Sequence, residues 1–345
     1  MTVNKDVYIW FSGATDITGK TLMEKLNVSG GKTKPTEAKT VIGWGTKTKT
    51  AAVFAKNIKM LNHPNSILNN RNKFGALKKL NASGVPVAKF MNVNNVVNAD
   101  LPVIGRTNWH QGGKGFWICP TMALVKNAVD EGAQYFQKLI EIKDEYRLHV
   151  FNGQVIYSVK KVKRDNMTGA FVAQNKEKIE SMAAKNDVTL APATVDYVLE
   201  QVAKQHKEPD MIIRSNTRGW KFSRVTNIMP GLRDAAIASV KALELEFAAV
   251  DCCVDVKGDP YIIELNTGPG LKGSALDAYV AALKGAIDKK KATKTTMATV
   301  KVKSAGGKSK TSLEAKAALM TDMIQNADDT EAEALESIFA KMFSE

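Results

Sequence analysis

The chain has 345 residues, 44% of them apolar and 24% charged, enough for two or three domains around a sizeable core. It holds no unbroken run of the roughly 18 apolar residues that a membrane span needs, and its opening MTVNKDVYIW lacks a basic-then-apolar signal pattern, so a cytoplasmic protein without a membrane partner is expected. Three cysteines and four scattered histidines exclude a disulfide framework and a His/Cys metal centre, while a net charge of +14 points to something acidic as partner: phosphate, nucleic acid or acidic side chains.

In chain order, VYIWFS reads as a buried strand, followed by a turn, a helix carrying Leu22, Met23 and Leu26, and a second strand at TVIGWG. Strand, helix, strand predicts a small parallel α/β unit over residues 1–65. Its turn contains Ala14 to Thr21, which fits a relaxed Walker A pattern ending in Gly19-Lys20-Thr21. From residue 66 to 285 the texture is mixed: VPVAKF, LPVIGRT and GFWICP are β-like, and ALVKNAVDEG is a short helix ended by Gly132. EYRLHVFNGQVIYSVKKVKR is a hairpin turning at Asn152-Gly153. A helical, charged insertion covers about residues 165–210, then come a strand at MIIRSN, a helix at LRDAAIASVKALEL, and a second hairpin turning at Lys257-Gly258-Asp259-Pro260. Residues 286–310 read as a basic flexible linker. Residues 311–345 form a helical tail with capping boxes at Thr311/Glu314 and Thr330/Glu333, and with Leu335, Ile338, Phe339 and Met342 on one face.

The second hairpin carries the chemistry. Glu264 and Asn266 are two apart and project from one side of their strand, and the hairpin return brings Asp251 beside them. Two carboxylates and an amide oxygen make a hard-oxygen site suited to Mg²⁺ bridging nucleotide phosphates. The turn Thr267-Gly268-Pro269-Gly270 that follows permits close approach of a substrate.

Asp251, Glu264, Asn266 and the Pro-Gly turn together resemble the metal motif of the ATP-grasp carboxylate–amine ligases, and further segments match in the family's order over about residues 70–275. NKFGALKKLNASGVPVAKF resembles the segment whose lysine, here Lys73, contacts phosphates. LPVIGRTNWHQGGKGFWIC resembles the strand and glycine-rich lid, with Gln111, Gly112, Gly113, Lys114 and Gly115 as the loop and Arg106 in place of the usual lysine. YFQKLIEIKDEYRLHV resembles the hinge. The resemblance implies that Gln137 and the backbone of Lys138-Leu139 meet the adenine, that Glu145 meets the ribose with Asp144 as competitor, and that Lys161 adds a phosphate contact. IIRSNTRGWKF is similar to the signature of the ribosomal-protein glutamate ligase and glutathione synthetase branch, implying that Arg214 and Asn216 face an acyl-phosphate; Trp220 replaces that signature's second glycine.

The resemblance implies a mixed α/β and α+β architecture, an ATP-grasp fold behind a Rossmann-like N-terminal α/β pre-grasp domain. It also implies ATP and one or two Mg²⁺ as cofactors, and an ADP-forming ligation of a carboxylate to an amine. Arg214, Asn216 and Lys161 would act in catalysis and Asp251, Glu264 and Asn266 would hold the metal. The substrates are small-molecule or peptide carboxylates and amines, and an acidic macromolecule suits the basic surface or tail. Homo-oligomers occur in such families, and the helical pattern selects no number. SGATDITG and IGWGTKTK resemble segments of phage-encoded ATP-grasp proteins. Two alternatives stay open at this stage: a P-loop kinase or ATPase using Gly19-Lys20-Thr21, with Asp251 in a Walker B role, and a basic nucleic-acid-binding protein without turnover.

Overall fold

The computed structural model describes residues 3–13, 16–33, 35, 37–46, 58–109, 115–163, 211–214 and 220–288, with isolated positions 176, 180, 192 and 195. Gln111 to Lys114, Asn216, most of the 165–210 insertion and everything after Asp288 therefore lie outside the described residues. The chain divides into two compact units, residues 1–160 with 224–291 and residues 161–223 with 292–345.

In the first unit, β1 (Asn4–Phe11), β2 (Val28–Gly31), β3 (Thr40–Trp44) and β4 (Lys59–Leu61) form a parallel sheet in the order β2-β1-β3-β4, with α1 (Ile17–Leu26) joining β1 to β2. The strand–helix–strand reading of this region holds, but it passes over β2 and β4, which are short and offer no alternation of period two. Asp16 caps α1 by accepting from the Gly19 amide at 2.8 Å. Gly19 has no room for a side chain, since a Cβ there would lie 2.9 Å from the Phe11 ring. The glycine of the Walker-like octet is thus explained by helix-to-strand packing.

A second, four-stranded antiparallel sheet, in the order β5-β8-β6-β7, comprises β5 (Phe90–Asn92), β6 (Val103–Arg106), β7 (Phe116–Cys119) and β8 (Tyr135–Lys138). It packs with α4 (Met122–Asp130) around Val103, Val125, Ala128 and Phe136. The third sheet has the order β11-β10-β9-β12-β13, from β9 (Ile142–Phe151), β10 (Gln154–Lys163), β11 (Trp220–Arg224), β12 (Phe247–Asp255) and β13 (Pro260–Asn266). The chain passes between the two units within β10 and β11. Asn152 and Gly153 turn the β9–β10 hairpin with φ of 46° and 74°, the left-handed pair that a tight hairpin requires.

Alternation along β9 and β12 sorts the third sheet into two faces. Leu148, Val150, Ala248, Val250, Cys252, Ile262 and Leu265 face a core shared with α3 (Lys73–Ala82) and α5 (Pro230–Ala242), while α2 (Pro64–Arg71) adds Ile67. The polar residues Glu145, Arg147, His149 and Asp251 occupy the alternate positions. One residue breaks the count: Asp251 pairs with Glu264 but Cys252 with Ile262, leaving Ile263 as a bulge.

Helix α6 (Gly273–Asp288) has no counterpart in the sequence reading. It lays Leu276, Tyr279 and Leu283 against Ile42, Trp44 and Phe247, and each such large apolar side chain contributes about 1.5–3 kcal/mol on burial. Its last three residues, Ala286 to Asp288, are helical, so the proposed linker cannot begin at 286. The expected strand at MIIRSN is also corrected: Met211 to Arg214 follow a bent path. All three cysteines are buried thiols outside any disulfide.

Candidate active site

The site grows from three adjacent strands. Register places Arg147 opposite Asp251 on one side, and Glu264 opposite Asp251 on the other, so a cation and two carboxylates form a row across β9, β12 and β13. Like charges directly opposite on neighbouring strands repel unless counter-ions intervene. Here they do. Arg147 grips Asp251 with both prongs, Nε to Oδ1 at 2.7 Å and Nη2 to Oδ2 at 2.9 Å, in a pair whose side chains are 23% and 8% exposed. Burial works against the guanidinium charge, but the Asp251 carboxylate outweighs it and holds Arg147 above its ordinary pKa. From the opposite flank, Lys73 at the start of α3 places Nζ 3.3 Å from a Glu264 carboxylate oxygen.

Lys73, Arg106, Gln137, Tyr135, Asn70 and Glu264 line one cleft. Of the residues expected from sequence, it therefore assembles Lys73, Arg106, Gln137 and Glu264, drawn from α3, β6, β8 and β13. Tyr135 is buried, which pushes its pKa up to about 12, against the pull of Arg106 and reinforced by Glu264. The guanidinium of Arg106 also lies 5.4 Å from the Phe116 ring. Gly115 sits directly before β7, and the Lys73 amide donates to the Asn108 carbonyl at 3.1 Å.

Asn266, two residues past Glu264 at the end of β13, is exposed, and its Oδ1 accepts from the Gly268 amide at 3.1 Å. That turn is fastened to the parallel sheet: Gly45 donates to the Thr267 carbonyl, and a Cβ on Gly268 would stand 3.0 Å from Gly45 backbone atoms. Thr18 Oγ1 of α1 accepts from the Leu271 amide. The beginning of α1 is thereby joined to the turn that follows the carboxylates.

The donor set fits a hard cation. Each ionised carboxylate offers about four acceptor positions, and the two pairs with Arg147 and Lys73 use only some of them. No metal-holding cluster of three or more His, Cys, Asp or Glu occurs among the described residues; the expected set, two carboxylates and an amide, is of the hard-oxygen kind that Mg²⁺ takes.

Other expected residues fall differently. The amides of Lys138 and Leu139, expected beside an adenine edge, donate to the carbonyls of Lys89 and Pro102 at 2.7 and 3.1 Å. Asp144 is paired with Lys160 at 2.7 Å, and Glu145 is buried opposite Cys253. In the second unit, Lys161 Nζ donates to the Arg214 carbonyl at 2.6 Å. The buried Arg214 guanidinium stacks 4.5 Å from the Trp220 ring, so the residue replacing a signature glycine is the one that holds the arginine.

Sequence reasoning passed over Arg147 and His149. Their signal was the spacing of Glu145, Arg147 and His149 at alternate positions, with Tyr146, Leu148 and Val150 as the intervening apolar set. His149 Nδ1 lies 3.3 Å from the Tyr279 hydroxyl, and burial, with Arg147 adding, lowers its pKa to about 4. The folded state thus resists a proton that the unfolded state accepts below about pH 6.5, and stability is lost as pH falls from there towards 4, by at most about 3 kcal/mol. In His149→Gln, which keeps a polar tip near Tyr279 but cannot titrate, the fall in guanidinium-unfolding free energy across this window should be shallower. Parallel wild-type and variant slopes would refute this assignment.

Comparisons with known proteins bear on the fold. Residues 193–288 match the family model of the RimK-like ATP-grasp domain. The fold is similar to that of the ATP-grasp ligase PsnB complexed with a minimal precursor, at 11% identity and a TM-score of 0.53 over 83% of this chain and 100% of that one. It is likewise similar to D-alanine–D-alanine ligase from Bacillus anthracis, at 14% identity and a TM-score of 0.50 over 81% and 91% of the two chains. No curated protein sequence matches. The chain has an ATP-grasp fold. The segment similar to the RimK-like ATP-grasp domain spans the β12–β13 hairpin and α6.

Proposed function

We propose that the protein is an ADP-forming, ATP-dependent carboxylate–amine ligase. The observation that carries this is the row Arg147, Asp251, Glu264 and Lys73 beside a cleft lined by Arg106 and Gln137. Asp251, Glu264 and Asn266 would hold Mg²⁺, which supplies charge neutralisation to the β- and γ-phosphates. A structure of PsnB contains Mg and ADP together with its minimal precursor, which supports the same pair of cofactors here.

In this reading Lys73 and Arg106 bind phosphate oxygens, joined by the loop Gln111 to Gly115, and Gln137, Lys138 and Leu139 border the base through side chain and carbonyls. Glu145 orients the ribose. The substrate carboxylate takes the γ-phosphoryl group to give an acyl-phosphate, and an amine displaces phosphate through a tetrahedral intermediate. Phosphoryl transfer needs alignment and charge neutralisation more than a protein nucleophile, and these residues provide both. The proposed roles of Lys161, Arg214 and Asn216, towards the acyl-phosphate, rest on their signature motif.

A P-loop reading is disfavoured by charge. The Asp16 carboxylate caps α1 at the Gly19 amide, where a cradled phosphate would have to sit, and the Thr21 hydroxyl is spent on the Ile17 carbonyl at 3.0 Å. Lys20 is exposed on the helix whose start is tied to the turn after Asn266, a position suited to an acidic acceptor such as a glutamate-rich peptide.

Lys20→Ala should change the Kd for Mg-ATP by less than about twofold, since Lys20 makes no nucleotide contact in this reading, and should raise KM for an acidic acceptor by about three- to tenfold, one surface-charge contact's worth. Calorimetry with Mg-ATP and an ADP-release screen across carboxylates and amines read the two arms. Loss of Mg-ATP binding in Lys20→Ala with binding retained in Glu264→Gln would overturn the ligase reading in favour of the P-loop.

A further inference from the structure

The two carboxylates of the row have unlike counter-ions. Arg147 is borne on a strand, faces Asp251 in register and makes two bonds at 2.7 and 2.9 Å. Lys73 reaches Glu264 by a single contact at 3.3 Å from the first turn of a helix, with its side chain 17% and that of Glu264 35% exposed. The Lys73 backbone is fixed through its bond to Asn108, so its position in the cleft can change only by rotation of the four-carbon stem.

Arg147 pairs with Asp251 and Lys73 with Glu264. A divalent cation arriving alone on the carboxylates would meet the charge of Lys73 already in place. Arriving with a polyphosphate, it leaves Lys73 a new anion to pair with. Resting on the ligase reading above, we propose that Lys73 is an exchangeable counter-ion: it holds Glu264 until nucleotide comes, then transfers to phosphate as the metal takes its place on the carboxylate. Arg147 stays on Asp251 throughout and keeps that ligand oriented. Metal and nucleotide binding are thereby coupled through one lysine side chain, and free divalent cation binds poorly.

The test uses Mn²⁺ alone as probe, followed by electron paramagnetic resonance of the free ion, on the full chain without nucleotide. Removing the resident charge in Lys73→Met should tighten Mn²⁺ binding by about three- to tenfold while weakening ADP binding by about tenfold, opposite signs that loss of packing would not produce. Lys73→Gln, which keeps a polar tip, serves as a second variant should the first fail to fold. Glu264→Gln is the reference. If it weakens Mn²⁺ binding but neither Lys73 variant strengthens it, the exchange is refuted and the site assignment stands. If Glu264→Gln leaves Mn²⁺ binding unchanged, the metal assignment itself fails and the exchange falls with it.

Discussion

Glu264→Gln is expected to raise the Kd for Mg-ATP by about 10- to 100-fold, about 1.4–2.7 kcal/mol, while leaving ATP binding in excess chelator unweakened. The substitution keeps shape and polarity and removes one charge. Glu264 is partly exposed, and it meets Lys73 by one contact at 3.3 Å, so the loss of that pair costs the fold little, within about 1 kcal/mol. The separation between the two titrations is what identifies the residue as a metal ligand, because damage to the cleft would weaken both. Calorimetry of both proteins with and without Mg²⁺ supplies the four numbers. Equal weakening in the two conditions would remove Glu264 from the metal site and leave it as a wall of the cleft.

Arg147→Met should be the most destabilising single change in the site. Asp251 is nearly buried and both its oxygens are held by this one guanidinium, so truncating the partner leaves a carboxylate with its main counter-charge gone. Breaking a buried pair from one side costs about 3–5 kcal/mol; with the arginine side chain 23% exposed, water offsets part of this and about 2–4 kcal/mol is expected. Adding Asp251→Asn to the same chain should recover a good part of the loss, since the orphaned charge is then absent, and the double-mutant cycle measures the coupling. Urea unfolding at neutral pH decides it. A single-variant loss below about 0.5 kcal/mol, or strictly additive losses, would show that the pair does not carry the stability of the row.

Much of this was legible in the chain. Alternation and turn chemistry located β1, β3, both hairpins, α4 and α5, because in each the period of the apolar residues and the flanking Asn-Gly or Gly signals agree. The carboxylates stood out because acidic residues are rare in strands as apolar as FAAVDCCVD and YIIELN. What escaped reading had a physical reason. Helix α6 carries an apolar stripe, Leu276, Tyr279, Leu283 and Ala286, but Gly273 and Gly285 weaken its local helical propensity. Met211 to Arg214 look strand-like by composition, yet the Arg214 stack on Trp220 governs that segment, and a contact of that kind is invisible to local pattern. The partner of Asp251 lies 104 positions away in sequence, and only the register of β9 against β12 reveals it. The Walker-like octet is ambiguous for the reverse reason: helix-start chemistry and phosphate-loop chemistry ask for similar residues, and the placement of Asp16 separates them.

The bulge at Ile263 has a meaning beyond local irregularity. Ile262 and Leu265 both face the apolar core, though three residues apart on a strand they should point to opposite sides; the extra residue absorbs the half-period. Upstream of it β13 keeps phase with the oily side of the sheet, and downstream the same phase puts Glu264 and Asn266 with Asp251. A strand of strict alternation could satisfy the core on only one side of position 263. One uncounted residue lets a single strand serve hydrocarbon and ion chemistry in succession.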